Sequence, residues 1–408
     1  MTKYAESPWI DSFPASRVPA YPKQRGPLKT SVVIIGGGLT GCATAYAFAA
    51  AGVDVVLVEA GRIGQGTSAL SSGWISGDPG IAFADLERAV GTRPARHGFQ
   101  AWRRAALDFA ALLRRLDIKC SQQSASTATV AITPEQATRL KKDQKTRRDA
   151  GFAAPLLNAK AIRAELGLDA GSAIRDTSTA LVDPYRASLG LADAASKRGA
   201  RLFEHTTARR VAFGRKTADV FTSGGSIRAE RIVVATGVPT LLFKSLQRHF
   251  WFRSSYLALT ERVPAKIRHM LGTRATVLRD SAEPAHIIRW LDDERLLVAG
   301  ADAEAPLPRL RDRVAVQRTG QLMYELSTLY PDISGIQPAY GWEAPYARSG
   351  DGLPYFGPHR NFPHHLFAFG DASHGVTGAY LASRILLRYY LDEVEPADEP
   401  FAFTRNER

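Results

Sequence analysis

At 408 residues, with 45% hydrophobic and 23% charged residues, the chain has a globular composition and the length for two domains. Its formal charge is +13, from 53 basic and 40 acidic residues, which suits an anionic partner: nucleic acid, a membrane surface or an anionic cofactor. The two cysteines, Cys42 and Cys120, stand far apart without metal-ligand spacing, which argues against a disulfide framework and fits a reducing compartment.

Taken in chain order, residues 1–30 have no apolar core of a secretory signal and are spaced by prolines, so they are expected to lie as an extended arm over the fold. Ser31–Ile35 is a continuous β-branched run, as in a strand buried on both faces of a parallel sheet. Gly36, Gly38 and Gly41 follow as G-x-G-x-x-G, leading into an alanine-rich helix, Leu39–Ala51, that Gly52 ends. Val53–Val58 reads as a second strand, closed by Glu59. In this arrangement the first glycine permits the turn, the second admits a pyrophosphate to the backbone, and the third lets helix and strand pack closely. A carboxylate at Glu59 accepts hydrogen bonds from an adenosine ribose. Strand, fingerprint, helix, strand and acid in register point to an adenine dinucleotide.

Downstream, "AGRIGQGTSALSSGWIS" is rich in small and hydroxyl residues that let a segment pass close to a larger cofactor. Residues 81–169 carry amphipathic helix patterns such as "AWRRAALDFAALLRRLD", and "KKDQKTRRD" (141–149), which mixes acids with bases, reads as a solvated helix face rather than a nucleic-acid surface. "RIVVATG" is a buried strand ending at Gly237. Residues 245–345 alternate, as in "SSYLALTER", "AHIIRWLD" and "RLLVAGAD", and read as strands. No apolar run has the length of a membrane span, and a cytoplasmic protein is expected. The last segment, "LFAFGDASHGVTGAYLASRILLRYYL" (366–391), supplies a strand, a Gly-Asp pair and a helix.

Together these pieces resemble the D-amino-acid oxidase superfamily of FAD enzymes, which includes glycine oxidase, monomeric sarcosine oxidase and gamma-glutamylputrescine oxidase. The resemblance rests on Gly36–Glu59, "GTSALSSGW" (66–74), "VDPYRASLGLADAASKRGA" (182–200), "VVATG" (233–237), "DGLPYFGP" (351–358) and "GDASHGVTGAYLASRI". It implies an α/β plus α+β fold, a Rossmann-type FAD domain interrupted by an antiparallel-sheet substrate domain. The FAD domain is expected from 31–80, 170–244 and 350–408, and the substrate domain from 81–169 and 245–349. By the same resemblance, FAD is expected against Leu39, Thr40, Ala60, Arg62, Thr67, Ser68, Ala208, Thr236, Gly237 and Gly370. Asp371 is expected at the ribityl hydroxyls, or else as a helix N-cap. The amides of Gly375, Val376 and Thr377 open the last helix, where its positive end is expected to face flavin N1 and the C2 carbonyl. His374, in the loop entering that helix, is expected to contact the cofactor or substrate or else simply to pack in the loop.

Such enzymes take a hydride from the carbon beside an amine nitrogen, so no acid–base triad is required. Three departures bear on the substrate and acceptor. Where relatives hold a substrate carboxylate with an arginine, five residues before the Asp-Gly pair, this chain has Tyr346; Arg348 lies two residues on, nominally on the same strand face. Trp342 resembles the tryptophan-led segment of gamma-glutamylputrescine oxidase-like proteins, which implies an amine or modified amine over a free amino acid, although Trp342 and Tyr346 also suit core packing. No cysteine follows Cys120, so FAD is expected to be non-covalent. A lysine that promotes oxygen chemistry in sarcosine oxidases falls here near Val298, leaving oxygen or another electron acceptor open. Tyr256 and Arg289 are candidates to face the flavin, with exposure or packing as the alternative. His286, His364 and His365 read as surface or packing histidines. The rival functions are a flavin monooxygenase, because "GDASH" resembles a hydroxylase motif, and a flavin-binding subunit of a hetero-oligomeric amine oxidase needing a partner.

Overall fold

The computed structural model describes residues 2–370 and 375–405 and is built around two sheets. In the first, the strands Arg201–Phe203, Val55–Val58, Gly26–Ile35, Gly225–Gly237 and Phe362–Phe369 lie side by side and parallel, and Tyr355–His359 closes one edge antiparallel. Parity explains the β-branched runs. Val32, Ile34, Val55 and Leu57 face the helix Leu39–Ala50, while Val33, Ile35, Val56 and Val58 face a second apolar cluster containing Phe243, Leu246 and Phe367. Both faces are buried, at roughly 1.5–3 kcal/mol per large apolar side chain, so the alternation expected of a half-exposed strand is absent. The helix Leu39–Ala50 is itself enclosed by Pro184–Lys197 and Thr377–Leu391, which is why alanine dominates it. A Cβ on Gly41 would lie 1.8 Å from the carbonyl oxygen of Gly36, so only glycine lets this helix start so near its strand.

The second sheet runs in the order Lys3–Tyr4, Pro338–Arg348, Trp251–Thr260, Leu296–Glu304, Ile287–Trp290, Thr276–Asp280, Gln123–Ala131, Ser172–Leu181, Trp74–Ile75. It is mostly antiparallel, with Thr276–Asp280 parallel to Gln123–Ala131. Its two faces also part by residue parity. Leu257, Leu259, Leu297, Ala299 and Ala344 join the cluster toward the dinucleotide sheet, whereas Tyr256, Ala258, Leu296 and Val298 pack with Leu322 and Leu326 of the helix Arg311–Leu329.

Two expectations need revision. Ser172–Leu181 pairs with Gln123–Ala131 and so belongs to the second sheet, and the chain returns to the dinucleotide sheet only with the helix Pro184–Lys197. Residues 1–30 are more than an extended arm. Lys3–Tyr4 pairs with Tyr340 and Gly341, covering a sheet edge; Pro8–Asp11 is a short helix capped by Ser7; and the first parallel strand already begins at Gly26. The region 81–169 does supply helices, at Phe83–Val90, Thr92–Arg115, Pro134–Asp149 and Ala159–Leu166. Among the described residues no helix is long and apolar enough to cross a membrane.

Candidate cofactor and substrate site

Ile35, Val58, Gly237 and Phe369 end parallel strands on the same side of the first sheet. There, outside the carboxyl ends of the strands, a cavity of about 760 Å³ runs from the first glycine turn to the second sheet. Gly36 lines it with φ +109°, a backbone that a side chain resists, and its Cβ would meet the Ala235 carbonyl oxygen at 2.6 Å. Gly38, the N-cap of the helix Leu39–Ala50, lines the cavity and has no side chain of its own to cap the helix. Ser68 Oγ accepts from Leu39 N at 2.7 Å, which places this hydroxyl at the helix N-terminus where an anionic pyrophosphate is favoured. Glu59 is held by two amides: Oε2 accepts from Gly37 N at 2.7 Å and Oε1 from Gly61 N at 2.8 Å. Its carboxylate is thereby oriented at the cavity wall before any ribose arrives.

Most residues expected at the cofactor line this cavity: Leu39, Thr40, Ala60, Thr67, Ala208, Thr236, Gly370, Gly375 and Val376 besides those just named. Three differ. Arg62 is exposed and outside the lining. The amide of Val376 donates to the Trp74 carbonyl at 2.9 Å and is therefore not free for a flavin. The hydroxyl of Thr377 donates to the Ser76 carbonyl at 2.8 Å and accepts from Ser76 N at 2.9 Å, tying the helix start to the second sheet rather than to the cavity. Asp371 and His374 lie outside the described residues.

The far end of the cavity is closed by Ser255 and Leu257, Ala299, and Ala344 and Tyr346, which project from three adjacent strands. Tyr346 thus reaches the cavity, and its hydroxyl donates to Asp302 Oδ2 at 2.5 Å. Trp342 instead is fully buried in the core, with Nε1 on the Leu70 carbonyl at 2.9 Å. Arg348 is exposed and outside the lining, because the strand is ending there and pairs with the exposed Trp251. Tyr256 lies between Ser255 and Leu257 and so points to the opposite face, where its hydroxyl is buried without a hydrogen-bond partner among the described residues. For the same reason Val298 faces away and Ala299 occupies the cavity wall.

Arg289 is also away from the lining. It is buried, donates to the carbonyls of Ser72 and Gly73 at 2.8 Å, and stacks over Trp9. Burial lowers its pKa to about 10. It fastens the segment 66–74 that carries Ser68. His365 packs among Phe243, Phe362 and Phe367, and His364 contacts the Gly214 carbonyl, both as expected of packing and surface histidines. His286 does more: Nδ1 lies 2.7 Å from Asp280 and Nε2 lies 3.0 Å from Glu325, and the bond to Asp280 chiefly raises its pKa.

Several lining residues had no signal in the sequence. Trp102 enters from the helix Thr92–Arg115, whose amphipathic pattern marks it only as a core residue, and Thr240 follows the Gly237 turn. Trp102 Nε1 and Thr240 Oγ1 are both buried without a hydrogen-bond partner among the described residues. Buried polar atoms without a partner among the described residues, a glycine N-cap and an oriented carboxylate are what a large polar cofactor would engage, so these residues fit FAD. Cys42 is buried beyond the cavity wall with its Sγ toward the Gly37 carbonyl at 3.4 Å, and burial pushes its thiol pKa up.

Residues 31–388 match the family model described as FAD dependent oxidoreductase. The chain is similar to gamma-glutamylputrescine oxidoreductase of Escherichia coli (strain K12), with 24% identity over 98% of this chain and 92% of that protein. Among solved structures, it is similar to glycine oxidase from Geobacillus kaustophilus, with a TM-score of 0.78 and 21% identity over 93% of this chain and 99% of that one. It is also similar to an L-amino acid deaminase from Proteus vulgaris with its specific insertion deleted, with a TM-score of 0.77 and 18% identity over 98% of this chain and 100% of that one.

Proposed function

The chain belongs to the FAD dependent oxidoreductase family, and from that premise we propose that it oxidises the C–N bond of an amine. Its FAD would be held non-covalently by Gly36, Gly38, Glu59 and Ser68, with Thr236, Gly237, Gly370 and Gly375 along the rest of the cavity. Held there, FAD would supply the two-electron acceptor for hydride removal from the substrate carbon beside the nitrogen. The protein's part is to hold that carbon in place, exclude water and set the charge around it. The names of its relatives, gamma-glutamylputrescine oxidoreductase and glycine oxidase, agree with C–N chemistry.

One observation supports an amine over an α-amino acid. Among the described residues the only charged side chains lining the cavity are Glu59 and Arg209, and both belong to the end that starts at the glycine turn. The substrate end is walled by Ser255, Leu257, Ala299, Ala344, Tyr346 and Phe356, with no arginine to hold a carboxylate. Oxygen or another acceptor would reoxidise the flavin, and Ala299 offers no charge to favour oxygen. Two buried free cysteines suit a reducing, cytoplasmic setting.

The test is anaerobic. Amines, N-methyl amino acids and D-amino acids are added singly to the purified, flavin-loaded protein while the visible flavin absorbance is followed. Bleaching by an amine supports the reading, and readmitted air then shows whether oxygen is an acceptor. If none bleaches a fully loaded flavin, the reading fails, and reduction by NAD(P)H or with a co-purifying subunit becomes the account to pursue.

A further inference from the structure

The second sheet runs out into solvent on the side where the cavity opens. Ser255, Arg253 and Trp251 alternate onto one face of their strand, opposite Ala344, Tyr346 and Arg348 in turn. Ser255, Ala344 and Tyr346 line the cavity, and Arg253, Trp251 and Arg348 continue the ladder beyond it as exposed residues. Glu304 ends the neighbouring strand opposite Arg253, so the loop 305–310 leaves the sheet at this same end. The turn Leu241–His249 leads into the strand that starts at Trp251. Leu241 both lines the cavity and is 85% exposed, which marks the mouth.

This rim is apolar and basic together. Among the described residues, three of the four most exposed large apolar side chains stand on it: Leu241, Trp251 at 61% and Leu307 at 57%, joined by Phe252 and Leu310. Exposed apolar side chains scattered singly are ordinary; a group at one cavity mouth marks an interaction surface. Among them are the exposed bases Lys244, Arg248, Arg253, Arg309, Arg313 and Arg348, against two exposed acids, Glu304 and Asp312. Residues 241–253 and 344–350 contain no acid at all, so part of the +13 formal charge is gathered here. Protruding apolar tips interleaved with arginine and lysine match a negatively charged headgroup layer, which takes up the tips and attracts the bases without demanding a complementary shape. We propose that this rim docks the protein on an anionic lipid surface, with Leu241, Trp251 and Leu307 inserting among the headgroups and the cavity mouth facing the membrane. The inference goes beyond the C–N chemistry and does not depend on it.

The experiment is flotation of the flavin-loaded protein with vesicles of equal parts phosphatidylserine and phosphatidylcholine, or of phosphatidylcholine alone. The wild type is expected to float with the anionic vesicles only and to be released by high salt. Arg253→Gln combined with Arg348→Gln is expected to weaken partitioning at least about tenfold, since each base near such a surface contributes about a factor of five. Trp251→Ser combined with Leu307→Ser is expected to weaken it at least about tenfold as well. Lys141→Gln combined with Lys142→Gln removes the same charge from the helix Pro134–Asp149 and is expected to change partitioning by less than about threefold. The unmutated protein gives an independent answer. Trp9, Trp74, Trp102, Trp290 and Trp342 are buried, so quenching of tryptophan emission by brominated phosphatidylcholine in the anionic vesicles reports Trp251. Failure of the wild type to float with anionic vesicles overturns the proposal, as does equal flotation with phosphatidylcholine alone. So does flotation without quenching, or a loss from the Lys141 and Lys142 pair as large as that from the rim arginines. A wild-type dimer on gel filtration that Trp251→Ser abolishes would overturn it too, by assigning the rim to a second copy.

Discussion

The turn 349–354, which ends on the cavity-lining Pro354, is held by a buried ion pair whose removal has a calculable cost. Arg405 and Asp351 have side chains only 2% and 4% exposed. Arg405 donates from Nε to Asp351 Oδ2 at 2.6 Å, from Nη2 to Oδ1 at 2.8 Å, and from Nη1 to the Pro354 carbonyl at 2.8 Å. Its guanidinium also stacks 3.6 Å from the Tyr355 ring centroid. Arg405→Met keeps much of the stem's volume but strands the carboxylate, and breaking a buried pair in this way costs about 3–5 kcal/mol. Asp351 retains bonds from Ser349 Oγ and Leu353 N, each at 3.0 Å, so the lower part of that range is expected, about 3 kcal/mol. The assay is urea unfolding, followed by far-UV circular dichroism and by flavin release. Arg405→Met combined with Asp351→Asn removes the stranded charge and should be at least about 1 kcal/mol more stable than the sum of the single losses predicts. A loss below about 1 kcal/mol in Arg405→Met, or strictly additive losses, would refute the reasoning.

Gly41→Ala places a Cβ 1.8 Å from the Gly36 oxygen and should destabilise by about 1–3 kcal/mol or more, with FAD lost on gel filtration; a variant that retains flavin at wild-type stability would contradict the packing described. Tyr256→Phe removes a buried hydroxyl that has no hydrogen-bond partner among the described residues, on the face away from the cavity, so amine reduction of the flavin should be unchanged and stability should shift by less than about 1 kcal/mol. His286 has its pKa raised in the fold above the ordinary 6.5 by its bond to Asp280. Its stabilising contribution is therefore full below the unfolded value and is lost as pH rises through the folded one. His286→Gln should cost more stability at acidic than at alkaline pH, read from denaturation midpoints in matched buffers; an equal loss at both would remove the charged histidine from the account.

The dinucleotide half of the site was legible because its determinants are local in sequence. Gly36, Gly38, Gly41 and Glu59 lie within one strand–helix–strand unit, where backbone geometry and spacing suffice, and a Cβ at Gly36 or Gly41 would run into a backbone carbonyl. Likewise, a β-branched run buried on both faces needs only its composition to be recognised. The substrate half depends on which way each strand residue points, and a single-residue offset reverses that. Tyr256 was a candidate on the right strand but the opposite face, and Val298, the position matched to the sarcosine oxidase lysine, faces away too, with Ser255 and Ala299 beside them forming the wall. Arg289 and Thr377 look like site residues by position, but distant partners claim them: carbonyls at Ser72 and Gly73 for one, Ser76 for the other. Sequence alone determined the cofactor class and the parallel sheet, since short-range geometry enforces both. The tertiary structure alone decided which side chains of the second sheet line the cavity, since long-range strand register controls that.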